Sequence, residues 1–440
     1  TGGDYTFNAG TDGTISGSGS LSLKGGSLTM NLVNAGWDGE ISVTGSELKF
    51  INGALGTGKI TLNEGATLTW LTGNAQDVSS RLTWSDDSHV SLNVAGSDDN
   101  VLFGTSVANK GHVTKLGDGK LTLNGAGRIS GSLTIGTQTV SGGTVSITGG
   151  GNNGAAAVKG GIDVVNGILS LDAGDLTGYG DDAASRISSL AVRENGEIKL
   201  TTSNNQTLKD LAITLQGGTI SGVDGSRIDF YGTTTGLETL ASDKESVIST
   251  QVTLRQNDNV FKVADGAAAN DLLVSGDFIM AGQEAVTRTL IKQGAGTMNI
   301  AGKYSIDKTI EIHEGRLILS NADATLNATG ISIAENATLV FDTIKETGYL
   351  YGNTLSGYDG GSGTVEVAEN RKLTLSGNNA DFNGKLLVGA GASLTIQGNM
   401  NASDLSGRGS FSVTGGDVTI SGANTGDPAF TGAVSVSGGT

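Results

Sequence analysis

Short runs of alternating apolar and polar residues recur along the whole chain and constrain its fold more than any other feature. Examples are Leu21–Leu23, Leu121–Leu123 and Ile310–Ile312, each bounded by Gly, Asn, Asp or Ser nearby. Alternation over so few residues is typical of a half-buried β-strand that ends in a turn. The sequence therefore predicts an all-β chain, in which Gly236–Ser249 is the only candidate helix.

The spacing of these runs indicates how the strands are stacked. Strands of a few residues separated by Gly-rich turns, three to a coil of roughly 20–25 residues, have the period of a parallel β-solenoid. The chain has 440 residues, with 72 Gly for the corners and a single Pro, so almost every strand residue can donate to its neighbour. We expect one right-handed parallel β-helix over residues 1–440, with about 20 coils and protruding loops.

Charge and residue usage exclude several classes of partner. The formal net charge of −17 argues against nucleic acid or an anionic membrane as a general partner. The absence of Cys excludes disulfides and thiolate metal sites, and no apolar run of about 18 residues is present. Since the chain starts and stops within its strand pattern, we expect it to be a fragment of a longer protein.

An internal duplication is visible in two similar segments. VTKLGDGKLTLNGA begins at Val113, and LIKQGAGTMNIAGK begins at Leu290 with the same order of Lys, Gly and apolar positions. The match continues weakly in Leu190–Leu200 and Val365–Leu375, and it places Tyr179 and Tyr349 at corresponding corners. We interpret residues from about 98 to 250 and from about 270 to 425 as two copies of one unit.

A second motif is a large residue followed by one residue and a Gly, just before an alternating strand. The Gly is interpreted as the residue that permits the bend, with the large side chain filling the corner. The four examples are Trp37–Gly39, Ile129–Gly131, Phe382–Gly384 and Phe430–Gly432.

The duplicated segments resemble the strand repeat of Gram-negative autotransporter passengers, Lys-x-Gly-x-Gly-Thr-Leu-x-Leu-x-Gly followed by aromatic-x-Gly. The residues that match are Lys115, Gly117, Gly119, Leu121 and Leu123, and Lys292, Gly294, Gly296, Thr297, Met298 and Ile300. The resemblance implies a type V secreted β-helix that is exposed on the bacterial cell surface or released from it. The anchor that it implies is a C-terminal outer-membrane β-barrel, which this chain lacks. It implies an adhesin that promotes aggregation, biofilm formation or virulence.

Motifs for nucleotide, metal and protease chemistry are incomplete. Gly53–Thr61 approaches a phosphate-binding loop, but Ile60 stands where Ser or Thr should follow Lys59. The three His residues lack metal-ligand spacing, and the Gly-Asp-Ser-Gly of the protease members of the family is missing. The sequence therefore predicts no cofactor, no metal site, no catalytic residue and no enzyme activity.

Two alternatives stay open at this point. The acidic pairs Asp86–Asp87, Asp98–Asp99 and Asp181–Asp182 are interpreted as solvated corners, although loop carboxylates could hold calcium. A carbohydrate-active β-helix, either a polysaccharide lyase or a hydrolase, is the enzymatic alternative. It would require convergent carboxylates across a cleft.

The candidate contact residues lie where the two copies differ most. The loop Asp342–Gly363 adds tyrosines next to groups that form hydrogen bonds, which is a plausible contact set for a glycan or a protein. The same tyrosines could instead pack over a coil. The predicted contact residues are Tyr349, Tyr351, Asn353, Tyr358 and Asp359.

Columns of Ser, Thr, Asn and Asp on stacked coils are the second candidate surface. Such a column could form hydrogen bonds with an identical molecule on a neighbouring cell. The predicted partners are therefore the protein itself, or a matrix polysaccharide or glycoprotein. At about 0.15 M salt the Debye length of ~8 Å permits this contact despite the negative charge.

Overall fold

The computed structural model describes residues 3–8, 13–150, 155–232, 236–255, 257–280, 288–321, 323, 325–422 and 429–440. In these residues the regular structure is β-strand apart from two 3-10 turns, Ser79–Arg81 and Ala183–Ser185. The predicted all-β parallel solenoid is confirmed, with about 18 turns. The chain divides into two compact units, the first Thr1–Leu211 with Gly218–Arg227, and the second Ala212–Gly217 with Ile228–Thr440.

The first unit contains the strands β1 (Asp4–Asn8), β2 (Leu21–Lys24), β3 (Ser27–Asn31), β4 (Ile41–Thr44), β5 (Glu47–Phe50), β6 (Ile60–Leu62), β7 (Thr67–Trp70), β8 (Leu82–Trp84), β9 (His89–Val94), β10 (Asn100–Phe103), β11 (His112–Leu116), β12 (Lys120–Asn124), β13 (Leu133–Ile135), β14 (Thr144–Gly149), β15 (Ile162–Leu171), β16 (Leu190–Leu200), β17 (Asn205–Lys209) and β19 (Thr219–Gly222).

The second unit contains β18 (Ala212–Leu215), β20 (Arg227–Tyr231, whose first residue belongs to the first unit), β21 (Gly236–Thr239), β22 (Ser246–Ile248), β23 (Gln251–Leu254), β24 (Asn257–Val263), β25 (Leu272–Val274), β26 (Phe278–Ile279), β27 (Arg288–Gln293), β28 (Thr297–Ile300), β29 (Tyr304–Ile306), β30 (Thr309–Ile312), β31 (Gly315–Leu319), β32 (Thr325–Leu326), β33 (Gly330–Ile333), β34 (Ala337–Phe341), β35 (Tyr349–Tyr351), β36 (Thr354–Gly357), β37 (Thr364–Val367), β38 (Lys372–Leu375), β39 (Asn379–Val388), β40 (Ser393–Ile396), β41 (Met400–Gly407), β42 (Ser410–Val413), β43 (Val418–Ile420) and β44 (Val434–Val436).

Equivalent strands of successive coils pair in parallel. In the first unit β10 pairs with β12, and β12 with β14, so that Phe103, Leu123 and Ile147 lie in one column. In the second unit β38, β40 and β42 stack in the same way. Because the side-chain period of a strand is two, every second residue of a coil points inward and lies next to its equivalents.

Apolar residues of the alternating runs and of the duplicated segments are buried in both units. Leu121, Leu123, Ile198, Leu200, Met298, Ile300, Leu373 and Leu375 are at most 1% exposed. Aromatic side chains also stack between coils, with Phe50 and Trp70 ring centroids 5.3 Å apart in the first unit and Phe230 and Phe261 5.3 Å apart in the second. The alternation in the sequence therefore identified the inner face correctly.

The candidate helix is wrong. Gly236–Ser249 contains β21 and β22, and Leu237 and Ile248 are buried whereas Leu240 is 37% exposed. Strand β21 pairs with β18 and β24 on its two sides. Hydrogen bonds to neighbouring coils thus outweigh a weak helical pattern.

One part of the predicted duplication also fails. Leu190–Leu200 is a single strand, but the corresponding Val365–Leu375 contains the end of β37, a turn, and β38 in a separate sheet. Tyr349 lies in a strand, whereas Tyr179 lies outside the strands. By contrast, the segments that begin at Val113 and Leu290 have similar local structure, because Lys115 and Lys292 are both buried at the ends of strands.

The Gly of the second motif, in which a large residue and one further residue precede it, is required for close approach between coils. A Cβ on Gly131 would lie 1.9 Å from the carbonyl oxygen of Gly111, and one on Gly39 would lie 1.8 Å from that of Gly19. Neither Gly has a positive φ, so the interpretation as a bend is replaced by one of steric contact. A side chain at these positions would separate the coils.

We expect Gly131→Ala to lower the free energy of unfolding by about 1–3 kcal/mol, because the added methyl group overpacks a backbone contact. Gly330→Ala is the matched control, since its Cβ would lie 3.9 Å from the nearest atom, the carbonyl oxygen of Thr354. Urea unfolding of both variants measures the difference. Equal stability of the two variants would contradict the steric interpretation.

Candidate functional site

Two of the predicted contact tyrosines lie in the core. Tyr349 and Tyr351 are 6% and 0% exposed, and their ring centroids lie 6.1 and 6.3 Å from that of Phe341. The Tyr349 hydroxyl accepts a hydrogen bond from the Leu326 amide, and burial raises the pKa of both phenols. The prediction that they contact a partner is wrong, because strand alternation points both inward and leaves Leu350 outside.

The other predicted contact residues remain accessible. Asn353 and Tyr358 are half-buried, and Asp359 is exposed. Tyr358 and Gly361 exchange two backbone hydrogen bonds of 2.9 and 3.0 Å. Asp359 and Gly360 between them have φ values of 49° and 78°, as in a type I′ turn. The Asp-Gly sequence suits this turn, which therefore presents Tyr358 and Asp359 on a tightly defined hairpin.

Tyr358 belongs to a column of outward side chains on successive coils. The register of β24, β27 and β30 aligns Lys262 with Gln293 and, one residue beyond β30, Gln293 with His313. The register of β33 and β36 continues the column through Ala334 to Tyr358. Because Ala334 is small, the rings of His313 and Tyr358 meet across it, with centroids 4.0 Å apart and planes inclined by 29°.

Two adjoining depressions follow this column, and together they form what we call the His313 groove. Their volumes are about 430 and 400 Å³, and both are lined by His313 and Asn336. The lining residues are Lys262, Gln293, Gly294, His313, Glu314, Ala334, Glu335, Asn336, Tyr358, Asp359, Gly360 and Gly361.

Both nitrogens of the His313 ring have partners. Nε2 lies 2.9 Å from Glu311 Oε2, and Nδ1 lies 3.5 Å from Gln293 Nε2. The ring is therefore held between a carboxylate on one side and an amide on the other, and its face is directed to Tyr358. No pattern in the sequence indicates this role, because His313 and Tyr358 come together only through the register of the coils.

The groove is acidic. Glu314, Glu335 and Asp359 line it, together with a single Lys at position 262. Glu335 and Asp359 are exposed. Their carboxylates can accept hydrogen bonds from hydroxyl or ammonium groups, and they repel anions.

A second candidate surface lies on the outer side of the sheet formed by β35, β38, β40, β42 and β44, and we call it the Ser/Thr face. Its register places Thr374, Thr395, Ser412 and Ser435 in one column. The further members are Ser376, Ser393, Ser410, Thr414 and Ser437. Within the described strands of this sheet, Lys372 is the only charged residue.

The Lys-x-Gly-x-Gly motif has a structural explanation. Lys115 is fully buried, and its Nζ donates to the carbonyl oxygens of Leu116, Gly117, Gly119 and Gly142 at 2.8–3.0 Å. Lys292 is also fully buried, and its Nζ donates to the carbonyls of Gln293, Gly294 and Glu314. Each Lys thus connects its own turn to the next coil.

Burial shifts the proton affinity of these two amines. Desolvation lowers the pKa of Lys115 to about 7, although Asp118 acts in the opposite direction. Desolvation likewise lowers the pKa of Lys292 to about 8, opposed by Glu314 and Asp271. Strand alternation places Lys115 on the inner face with Val113, although a charged side chain is ordinarily expected at the surface.

The acidic pairs were considered above as candidate calcium ligands. At least one carboxylate of each pair forms a hydrogen bond or an ion pair within the chain. Asp86 accepts a bond from the Lys110 amide, Asp99 from the Gly73 amide, and Asp182 caps a 3-10 turn through Ala184. Asp181 pairs with Lys209. In the described residues, no group of three or more His, Cys, Asp or Glu side chains could hold a metal ion.

Two of the His residues that are distant in the sequence are adjacent in the first unit. The ring centroids of His89 and His112 lie 5.3 Å apart at 70°. Nδ1 of His112 lies 2.6 Å from Ser132 Oγ and Nε2 lies 2.9 Å from Thr134 Oγ1. Desolvation and the neighbouring His89 lower the pKa of His112, while Asp163 raises it.

Comparisons with models of protein families, with curated proteins and with solved structures found no match for this chain. Among the described residues there is no helix of sufficient length and apolarity to span a membrane. Inferences about function therefore rest on the two surfaces, the fold and the resemblance of the Lys-x-Gly-x-Gly segments.

Proposed function

We propose that this chain is the solenoid of an adhesive autotransporter passenger, displayed outside the outer membrane of a bacterium by an anchoring domain of the longer protein. Its role is to promote cell aggregation and biofilm formation and to attach cells to matrix glycans or proteins. It is not an enzyme in this proposal, and its coils wind in the right-handed sense. The resemblance of the Lys-x-Gly-x-Gly segments and the parallel solenoid support the proposal.

The composition of the Ser/Thr face is the observation that most strongly supports an adhesive role. The protein has a net charge of −17, yet the described strands of this face have no acidic side chain. Two copies can therefore approach through this face without direct repulsion between carboxylates. Hydroxyl groups at the regular spacing of about 4.8 Å between coils can form hydrogen bonds with the same array on another copy.

We expect Thr374→Asp combined with Thr395→Asp to reduce aggregation of bacteria that display the chain at least fivefold. The two carboxylates would bring like charges together at the contact and would have to lose water there. Both side chains point outward and are half-buried, so the melting temperature should change little. Sedimentation of cells and thermal unfolding of the purified variant measure the two effects.

Thr253→Asp is the control, because Thr253 also lies outward on a strand, β23, that is not part of the Ser/Thr face. It should leave aggregation unchanged. If the double variant aggregates as strongly as the wild type, the Ser/Thr face does not contribute to aggregation. If cells that display the wild-type chain do not aggregate or attach to any matrix, the adhesive function itself is wrong.

A further inference from the structure

We infer that the His313 groove binds a polysaccharide that carries amino groups. This inference rests on the proposed attachment to matrix glycans and specifies both the site and the class of glycan. Three features of the groove carry it, namely its fixed aromatic surface, its charge and its length.

The aromatic surface is organised before a ligand arrives. Tyr358 is positioned by the type I′ hairpin, and His313 is positioned by Glu311 and Gln293. Rings that are already ordered lose little entropy on binding. A Tyr ring combines an apolar face with a hydroxyl group, and its face also attracts an ammonium group. Both properties suit an amino sugar.

The charge of the groove selects among glycans. Glu314, Glu335 and Asp359 face a single Lys. An anionic polysaccharide, with carboxylate or sulfate groups, would be repelled both here and by the net charge of −17. An ammonium group can instead pair with Glu335 or Asp359, both of which are exposed and accessible. The amides of Gln293 and Asn336 supply donors and acceptors for neutral hydroxyl groups.

The groove extends along the stack of coils. From Lys262 through Gln293, His313 and Ala334 to Tyr358 there are four steps between coils. At about 4.8 Å a step, this corresponds to ~19 Å. A site of this length contacts several consecutive sugars, so an oligomer should bind more tightly than a monosaccharide.

The test uses the purified chain and three soluble probes in isothermal titration calorimetry. The probes are a glucosamine hexamer, its fully N-acetylated form and a galacturonate hexamer. We expect the glucosamine hexamer to bind at least tenfold more tightly than either of the others. Tyr358→Ala should weaken this binding at least tenfold, and Glu335→Gln with Asp359→Asn at least fivefold.

Asp224→Asn is the matched control, because Asp224 is an exposed acid on a turn outside the groove. It should not change the affinity. The carboxamide variants keep the shape of their side chains, so they test the site even if Tyr358→Ala fails to fold. Equal binding by all variants would indicate general attraction to an acidic protein and would overturn the inference.

Three further results would also overturn it. These are the absence of binding by the wild-type chain, equal binding of the N-acetylated hexamer, and tight binding of the galacturonate hexamer. Release of new reducing ends from the glucosamine hexamer would make the groove an active site and favour the enzymatic alternative. None of these results depends on the Ser/Thr face, so failure of the groove inference can be distinguished from failure of cell aggregation.

Discussion

Leu123→Asp should unfold several coils of the first unit, lowering the free energy of unfolding by about 5 kcal/mol or more. Leu123 is 0% exposed and lies between Phe103 and Ile147 of the adjoining coils. A carboxylate at this position has no cation in the column and no water, so it must either remain charged in an apolar core or take up a proton. Thermal unfolding followed by circular dichroism measures the loss.

Leu102→Asp provides the control for this substitution. Leu102 lies in the neighbouring strand β10, but it points outward and is 41% exposed. The same change of side chain there should cost less than about 1 kcal/mol, because the charge stays in water. If Leu123→Asp unfolds at the same temperature as Leu102→Asp, the assignment of the inner face of β12 is wrong.

Lys115→Met should lower the free energy of unfolding by about 2–4 kcal/mol. The substitution keeps an unbranched chain of similar length, but it removes the donor shared by four carbonyl oxygens. Buried carbonyls without a partner are costly, and the turn would lose its connection to the next coil at Gly142. Urea unfolding measures the change.

Lys199→Met is the matched control, because Lys199 is an exposed residue of β16. Its free energy of unfolding should be close to that of the wild type. Equal stability of Lys115→Met and Lys199→Met would show that the carbonyl contacts of Lys115 contribute nothing to stability.

The contribution of Lys115 should also depend on pH. Burial lowers its pKa to about 7 in the folded chain, compared with about 10.4 for an unfolded Lys. Between these values the unfolded chain binds more protons, so the free energy of unfolding rises with pH. Lys115→Met lacks the titrating amine, so its free energy of unfolding lacks this dependence on pH. The stability difference between wild type and variant should therefore grow by about 2–3 kcal/mol from pH 6.5 to 9.5. A constant difference would show that the carbonyls keep the ammonium charged throughout.

Local patterns in the sequence were sufficient to predict the strands and the inner face. Leu121, Leu123, Leu373 and Leu375 are buried because apolar residues at every second position of a strand share one side, and this rule needs no knowledge of the neighbouring coil. The same rule places Tyr349 and Tyr351 on one side of a strand and Leu350 on the other, but it does not determine which of the two sides is buried. The error was to interpret these residues as a loop.

Tertiary structure decided everything that depends on the distance from one coil to the next. The coils differ in length, so the sequence alone does not align Gln293, His313 and Tyr358. The contacts of Lys115 and the role of Gly131 likewise depend on a carbonyl group that the preceding or following coil supplies. A strand pattern determines which way a side chain points. Only the stacking of coils determines what it meets, and for that reason the sequence predicted the solenoid but not the groove.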